Sequence, residues 1–326
     1  MYAILQAFKD ADLRKKIVFT IAMIIAYRIG AQIPSPGVDY ASIAGRLREL
    51  TEESGDLYSV INLFSGGALL QLSIFAIGIM PYITASIIVQ LLTVVIPRFE
   101  QLKKEGQSGQ AKMTQYTRYL TLALALLQSS GIVALADREQ LLGQGVPVLA
   151  EDRNFFTLVL LVVTMTAGAV LVMWMGELIT EKGIGNGMSL LIFAGIATRL
   201  PTDGVNILQN NGGMVFAMVL AGLIVLVVGI TFIEQGQRRI PVQYAKRMVG
   251  RRQYGGSSTY LPLKVNQAGV IPVIFASSLM YVPVLITQIV TMNNPTPPDN
   301  WWMNHVMAWL QNPGSWQYIL NYVILI

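Results

Sequence analysis

LFSGGALLQLSIFAIGIMPYITASIIVQLL, residues 63–92, changes character half-way along its length and decides the class of protein to expect. The first part is rich in glycine, carries no charge and is too short to span a bilayer. The second part is a long apolar run that contains Pro81 shortly after Gly78. The simplest interpretation is a half-inserted segment followed by a full membrane span. Because irregular backbone cannot face lipid, the half-inserted part must be buried in protein or line a cavity, which predicts a channel or a transporter.

The composition of the whole chain is that of a polytopic membrane protein. Of the 326 residues, 53% are hydrophobic and 13% are charged, and the mean hydropathy is +0.53, whereas about 25% of residues are charged in a soluble domain. The chain has no cysteine and one histidine, His305, which excludes disulfides, thiolate metal sites and histidine clusters. It contains no nucleophile–base pair, and its glycine-rich stretch 182–187 lacks the rest of a phosphate-binding loop. We therefore expect no enzyme activity, no metal and no cofactor.

Apolar runs long enough to span a membrane recur along the chain. A span needs about 20 mostly apolar residues, and such windows lie near residues 17–33, 72–96, 119–136, 155–175, 187–200, 213–233 and 267–290. An eighth run begins near Trp316 and is still apolar at Ile326. A run this short cannot cross a bilayer, so we expect the chain to end inside a helix and to lack a C-terminal portion.

Basic residues are distributed unequally between the two sets of loops. The loops 1–16, 97–118, 176–186 and 235–266 carry 17 of the 23 Lys and Arg residues, and the loops on the opposite side carry five. Basic residues near the ends of spans resist translocation across the membrane. The N-terminus is therefore predicted to be cytoplasmic.

Ionisable side chains are almost missing from the middle of the predicted spans. No Asp, Glu, Lys or His lies there to carry a proton or to bind sodium, although such groups are usual where transport is coupled to ions. The alternative to a channel is a small-solute secondary transporter with broken helices and a midplane site. The lack of ionisable mid-span residues disfavours that alternative.

The loop 235–266 is the soluble segment with the strongest indication of a function. It carries seven basic residues and no acidic residue. One interpretation is a surplus of positive charge that contacts anionic lipid. The other is a docking site for a polyanionic or acidic partner on the cytoplasmic face, to which the loop 98–118 would contribute a second element.

Several long stretches of the chain are similar to one known family. The chain resembles the SecY family, the central subunits of the bacterial Sec protein translocase (SecYEG). The resemblance extends over nearly the whole chain and is carried by RIGAQIPSPGVD (28–39), LFSGGALLQLSIFAIGIMPYITASIIVQLL (63–92), GQAKMTQYTRYLTL (109–122), ITEKGIGNGMSLLIFAGI (179–196), EQGQRRIPVQYAKR (234–247) and STYLPLKVNQAGVIPVIFASSLM (258–280).

The resemblance implies an all-α channel fold of ten transmembrane helices in two pseudosymmetric halves around an hourglass pore. About seven and a half of these helices would be present here. Residues 1–200 would form the N-terminal half with helices one to five, and residues 213–326 an incomplete C-terminal half with helices six to eight. The missing helices would supply part of the pore, so we do not expect residues 1–326 alone to translocate protein.

The resemblance also places a constriction ring in the pore. Its members would be Ile79, Ile83, Met188, Ile192 and Ile274. Ile79 and Ile83, like Met188 and Ile192, are four residues apart and share one helix face, where apolar side chains can exclude ions by dewetting. Such spacing taken alone is more often ordinary helix packing. Met188 stands where the family usually has isoleucine, and because methionine is flexible the ring is expected to be softer.

A plug and a lateral gate are further implications of the resemblance. The plug would be a short helix at about residues 60–71, folded back from the outer side to rest against the ring. The lateral gate would release transmembrane segments into lipid. The assigned residues are Phe64, Ser65, Gly66, Gly67, Ala68 and Leu69 for the plug, and Thr84, Gln90, Asn266 and Val282 for the gate.

The function implied by the resemblance is passive translocation of unfolded, signal-sequence-bearing preproteins across the bacterial plasma membrane. The partners would be the SecE and SecG subunits, membrane lipid, and a motor, either the SecA ATPase or the ribosome with its RNA and proteins at the exit tunnel. The motor would bind the cytoplasmic residues Arg238, Arg239, Lys246, Arg247, Arg251, Arg252, Lys103 and Lys104. Ribosomal RNA would be recognised through its phosphates, and SecA through charge-paired protein contacts.

Overall fold

The computed structural model of the chain describes residues 10–39, 67–69, 71–137, 148–149, 154–243, 247–249, 252–254, 258–266, 272, 276, 280 and 315–325. These residues form seven helices, namely α1 Ala11–Gln32, α2 Met80–Val95, α3 Pro97–Lys104, α4 Gln107–Asp137, α5 Phe155–Lys182, α6 Gly187–Gln235 and α7 Trp316–Leu325. They also form four short strands, namely β1 Gln237–Gln243, β2 Arg247–Val249, β3 Arg252–Tyr254 and β4 Ser258–Lys264.

Long apolar helices dominate the described part of the chain. Helices α4, α5 and α6 are each long and apolar enough to cross a membrane, and the pair α2 and α3 would add a fourth crossing if it counts as one bent span. The predicted windows 119–136 and 155–175 lie within α4 and α5. This agrees with the predicted class, an all-α polytopic membrane protein. The window 267–290 lies mostly outside the described residues.

Two of the predicted spans, 187–200 and 213–233, lie within the helical segment α6, which consists of two helices that meet at Gly212. Its backbone leaves the helical conformation at Gly212, where φ is 82° and ψ is 164°. Glycine has no Cβ and adopts positive φ without strain. The break therefore falls in the short interval that the sequence predicted between the two spans.

Proline residues decide where α2 begins and ends. Pro81 lies in the first turn of α2, where a missing N–H costs nothing. Ile96 has an extended backbone, with φ −106° and ψ 117°, because the following Pro97 disfavours the helical conformation for the residue before it. Pro97 then opens α3, and the two helices meet at an angle of 100°.

The predicted span 72–96 is corrected by the structure at its start. Residues 71–79 form turns, and the helix begins only at Met80. Leu72 has a positive φ of 43° and Gly78 one of 61°, and neither value fits an α-helix. The segment is instead paired with the chain after α1, since Ser35 N–H donates to Leu72 O (3.0 Å) and Ile74 N–H donates to Ile33 O (3.0 Å).

The two largest apolar clusters join α1, α2, α4, α5 and the start of α6. Cluster 1 joins α4 and α5 to the turn segment, and its members are Leu69, Leu72, Ala76, Ile77, Ala125, Ile132, Val133, Leu135, Ala136, Val148, Leu149, Leu161, Met165 and Ala169. Cluster 2 joins α1, α2, α5 and the start of α6, and its buried members are Tyr27, Phe75, Ile79, Ile83, Ile87, Val172, Met175, Ile179 and Leu191. A buried hydrogen bond of 2.8 Å between Ser129 Oγ and Thr166 Oγ1 also links α4 to α5.

The chain divides into two compact units. One contains Met1–Pro201 with Ile274–Ile326, and the other contains Thr202–Val273. The division predicted from the resemblance, into halves at 1–200 and 213–326, stays a prediction. In the second unit, β1 pairs antiparallel with β4, from Gln237 opposite Lys264 to Gln243 opposite Ser258. Strands β2 and β3 pair inside this hairpin, so the basic loop has regular structure.

Candidate functional site

Ile79 and Ile83 lie at the start of α2. Ile79 is the residue immediately before the helix, and its carbonyl accepts a hydrogen bond of 3.2 Å from Ile83 N–H. Their side chains are 3% and 9% exposed and belong to cluster 2. The two residues are therefore one helical turn apart and both face the protein interior.

Met188 and Ile192 lie in the first turns of α6. Both are half-buried and pack against cluster 2, which contains Ile79 and Ile83. The structure thus brings four of the five predicted ring residues into one apolar cluster, and the fifth, Ile274, lies outside the described residues. Cluster 2 also includes residues that the sequence did not single out, such as Val172. That these side chains line a pore stays a prediction.

The start of α6 is fixed by a side-chain cap. Asn186 Oδ1 accepts hydrogen bonds from the backbone N–H of Met188 (3.0 Å) and of Ser189 (3.4 Å). Asparagine is a preferred residue at this position, because its side chain satisfies N–H groups that have no partner within the helix. The cap sets the direction in which α6 enters cluster 2.

The approach to α2 is fixed by an aromatic contact with α1. The rings of Tyr27 and Phe75 are stacked, with centroids 5.9 Å apart and planes 11° apart. A Cβ at Gly30 would collide with the Phe75 ring, so only glycine leaves room for it. No sequence pattern indicated this contact, which joins residues 48 positions apart in the chain.

The described end of the predicted plug packs with α4 and α5. Ala68 and Leu69 are 1% and 2% exposed, and Leu69 belongs to cluster 1. Gly67 has a φ of 92°, which suits glycine. The expected contact between plug and ring is not seen for Leu69, because the predicted ring residues belong to cluster 2. Phe64, Ser65 and Gly66 lie outside the described residues.

The residues predicted for the lateral gate are found in separate units. Thr84 is half-buried, and its hydroxyl donates to Met80 O in its own helix (3.0 Å). Gln90 is exposed near the end of α2. In the other unit, Asn266 Nδ2 donates to Glu234 Oε2 (3.1 Å). Val282 lies outside the described residues, so the gate stays a prediction.

An ion pair that the sequence analysis missed ties α4 to α5. Arg118 Nε and Nη2 donate to the two carboxylate oxygens of Glu177 at 2.9 and 2.8 Å. The Glu177 side chain is 19% exposed. This fork-to-fork geometry is the strongest arrangement for such a pair. Because 59 positions separate the two residues, no local pattern could reveal the pair.

Two of the predicted partner-binding residues, Arg238 and Arg239, are exposed on strand β1 of the hairpin. Arg238 and Arg239 are adjacent on β1, so their side chains point to opposite faces. Arg247 lies on β2 and Arg252 on β3, whereas Lys246 and Arg251 lie outside the described residues. In the register of the hairpin, the face of Arg238 also holds Ile240, Leu261 and Leu263, which are 40%, 52% and 39% exposed.

The second predicted element of the basic surface is α3. Lys103 and Lys104 are exposed in its last turn. Lys104 Nζ lies 2.6 Å from Glu100 Oε1, and this hydrogen bond lowers the pKa of the Glu100 carboxyl below its ordinary value. No group of His, Cys, Asp or Glu that could hold a metal ion occurs among the residues that the structure describes.

Comparisons with known proteins agree with this architecture. The family model SecY matches residues 73–326. Protein translocase subunit SecY of Corynebacterium glutamicum is 80% identical over 325 residues, which is 100% of this chain and 74% of the relative. The chain belongs to the SecY family. Protein translocase subunit SecY of Mycobacterium tuberculosis strain H37Rv is 60% identical over 326 residues, which is 99% of this chain and 74% of that relative.

Solved structures share the SecY-family fold at much lower identity. A structure described as a protein-conducting channel superimposes with a TM-score of 0.58 at 18% identity, over 86% of this chain and 59% of that one. The idle yeast Ssh1 complex bound to the yeast 80S ribosome gives a TM-score of 0.61 at 15% identity, over 87% of this chain and 60% of the matched chain. At these identities the likeness establishes the fold alone.

Proposed function

We propose that this SecY-family chain forms the pore of a bacterial protein-conducting channel. It passes unfolded secretory polypeptides across the membrane and releases transmembrane segments through a lateral gate. The observation that carries the proposal is the convergence of Ile79, Ile83, Met188 and Ile192 on one apolar cluster at the starts of α2 and α6. A ring of apolar side chains resists water and ions and forms no specific hydrogen bonds with a passing polypeptide, so it suits substrates of any sequence.

The channel is passive, and a cytoplasmic motor drives the polypeptide through it. The hairpin β1–β4 is the proposed docking surface for SecA or for the ribosome. Two-stranded ribbons are only marginally stable alone in water, and this one exposes Ile240, Leu261 and Leu263 beside Arg238. An apolar strip next to basic residues fits a protein partner that carries acidic groups, and the basic residues also suit ribosomal RNA.

The chain is proposed to lie in the plasma membrane with its N-terminus in the cytoplasm, together with SecE and SecG. The orientation rests on the excess of basic residues in the loops that contain the hairpin and α3. The plug, with its uncharged residues 64–69, seals the outer side of the pore at rest.

Site-specific crosslinking to a stalled secretory chain tests the pore. A photo-reactive residue is placed at Ile79, Ile83 or Ile274 in the membrane-embedded protein, and at Val94 as a control, because Val94 is 84% exposed on the same helix as Ile83. We expect crosslinks from the three ring positions and none from the control. Crosslinks from Val94 alone would show that the polypeptide does not pass the ring.

A further inference from the structure

The start of α6 is joined to α5 through one hydroxyl group. Gly187 N–H donates to Thr180 Oγ1 at 2.9 Å, and Thr180 Oγ1 donates to Gly176 O at 2.8 Å. The hydroxyl therefore links the first residue of α6 to a carbonyl in α5. The side chain at position 180 must accept one hydrogen bond and donate another. Among side chains of similar size, only the hydroxyl groups of threonine and serine can do this.

Two glycines let α5 and α6 approach each other at the same place. A Cβ at Gly187 would collide with Gly176 O, and it would lie 2.7 Å from Ile179 Cβ. A Cβ at Gly176 would collide with Met188 Sδ and lie 2.9 Å from Met188 Cε. The thioether of Met188 thus contacts the backbone of Gly176 and occupies the space where the Cβ of any other residue at position 176 would lie.

The loop between the two helices is held in the same way by α1. Ile184 N–H donates to Thr20 Oγ1 at 3.2 Å, and Thr20 Oγ1 donates to Lys16 O at 2.8 Å. Thr20 is 7% exposed. Gly185, in the middle of the loop, has a φ of 71°. The loop is thus a fixed connection, and Thr180 holds Gly187, the residue immediately before Met188.

We propose that Thr180 is a positioning residue for the pore ring, and that Gly176 provides the seat for the ring side chain at position 188. Thr180 holds the first turn of α6 against α5, and this contact keeps Met188 on Gly176 and directed into cluster 2. The seat explains how a long, flexible methionine can occupy a ring position. The inference rests on the proposed function, since it takes Met188 to be a ring residue.

The test measures passive ion conductance of the resting channel, reconstituted as the full membrane complex. Thr180→Val keeps the size of the side chain and removes the hydroxyl link, whereas Thr180→Ser keeps the link and is the matched control. Loss of one hydrogen bond shifts an equilibrium by a factor of roughly three to ten, so we expect a several-fold rise in conductance for Thr180→Val and none for Thr180→Ser.

A double-mutant cycle separates positioning from a general loss of stability. If Thr180 acts through Met188, then Thr180→Val adds nothing to the conductance of Met188→Ala. Gly176→Ala should likewise raise the conductance, and Met188→Val should reverse that rise, because valine lacks the atoms that the new Cβ meets. This second pair carries the test if Thr180→Val does not accumulate in the membrane.

The outcomes distinguish this inference from the proposed function. If Ile83→Asn and Met188→Ala leave the conductance unchanged, the ring itself is wrong. If those two variants leak but Thr180→Val behaves like the wild type, or adds its full effect to Met188→Ala, the positioning role of Thr180 is refuted and the ring stands.

Discussion

Leu72, in the turn segment 71–79, combines an unfavourable backbone conformation with complete burial of its side chain. Leu72 is the only residue other than glycine with positive φ in the described part of the chain, a conformation that costs a residue with a Cβ about 1 kcal/mol or more. Its side chain is fully buried in cluster 1. Burial of a leucine side chain is worth about 1.5–3 kcal/mol, which is why leucine is tolerated there.

Gly30 provides a test at the scale of one residue. Gly30→Ala adds a Cβ that collides with atoms of the Phe75 ring, and such overpacking costs about 1–3 kcal/mol. We expect a lower midpoint of thermal unfolding for the purified protein in detergent.

The matched control for that change is Gly131→Ala in α4, where no neighbouring atom lies within 4 Å of the added Cβ. Alanine is favoured over glycine in a helix by about 0.5–1 kcal/mol, so this variant should be neutral or stabilised. Equal losses in both variants would show that Gly30 does not depend on Phe75.

At the scale of elements, the basic hairpin and α3 differ in how they display charge. Lys104 of α3 is paired with Glu100 in the same helix. The hairpin carries no acidic residue from Gln237 to Lys264, so its arginines have no acidic partner within the hairpin. Successive side chains of a strand point to opposite faces. A partner that binds both faces of the hairpin would therefore contact Arg238 on one face and Arg239 on the other.

Charge reversal of the hairpin tests the docking surface. We expect the double variant Arg238→Glu and Arg239→Glu to weaken binding of SecA or of ribosomes to membranes that contain the protein, by about tenfold or more at low salt and by less at high salt, because salt screens exposed charges. The affinity is measured by co-sedimentation over a range of salt concentrations, and the partner whose binding falls is the one that uses the hairpin.

Lys182→Glu is the control for the hairpin, because Lys182 is a basic residue in the last turn of α5 and lies outside the proposed surface. An equal loss in that variant would mean that overall charge, and not the hairpin, attracts the partner. If only binding to anionic vesicles falls in the double variant, the hairpin contacts lipid instead.

At the scale of the whole molecule, orientation in the membrane decides which surface meets the motor. The absence of native cysteine makes single introduced cysteines specific reporters. Ser108, at the start of α4, and Asn154, immediately before α5, are both exposed, and they belong to loops predicted on opposite sides.

We expect an impermeant maleimide added to intact cells to label Asn154→Cys at once, and to label Ser108→Cys only after the membrane is permeabilised. Each variant serves as the control for the other. The reverse pattern would place the N-terminus and the hairpin outside the cell, and would exclude a cytoplasmic motor as their partner.

The sequence was informative wherever a property depends on neighbouring residues. The spans at α4 and α5, the break near Gly212 and the excess of basic residues in alternate loops could all be read directly. Residue-level matches to the SecY family then indicated Ile79, Ile83, Met188 and Ile192, and the structure places the first two in cluster 2 and the last two against it. The spacing by fours could not have done so alone, because ordinary helix packing shows the same spacing.

By itself, the sequence determined the membrane class, because the free energy of moving a segment into lipid is summed over about 20 consecutive residues. Its residue-level matches indicated the family, and the family in turn implied the all-α fold. Only the tertiary structure decided that α2 begins at Met80, that Arg118 pairs with Glu177, and that Thr180 links Gly187 to Gly176. The physical reason is that packing and hydrogen bonding join groups far apart in the chain, as when Ile184 donates to Thr20 across 164 positions. No periodicity along the sequence encodes such contacts.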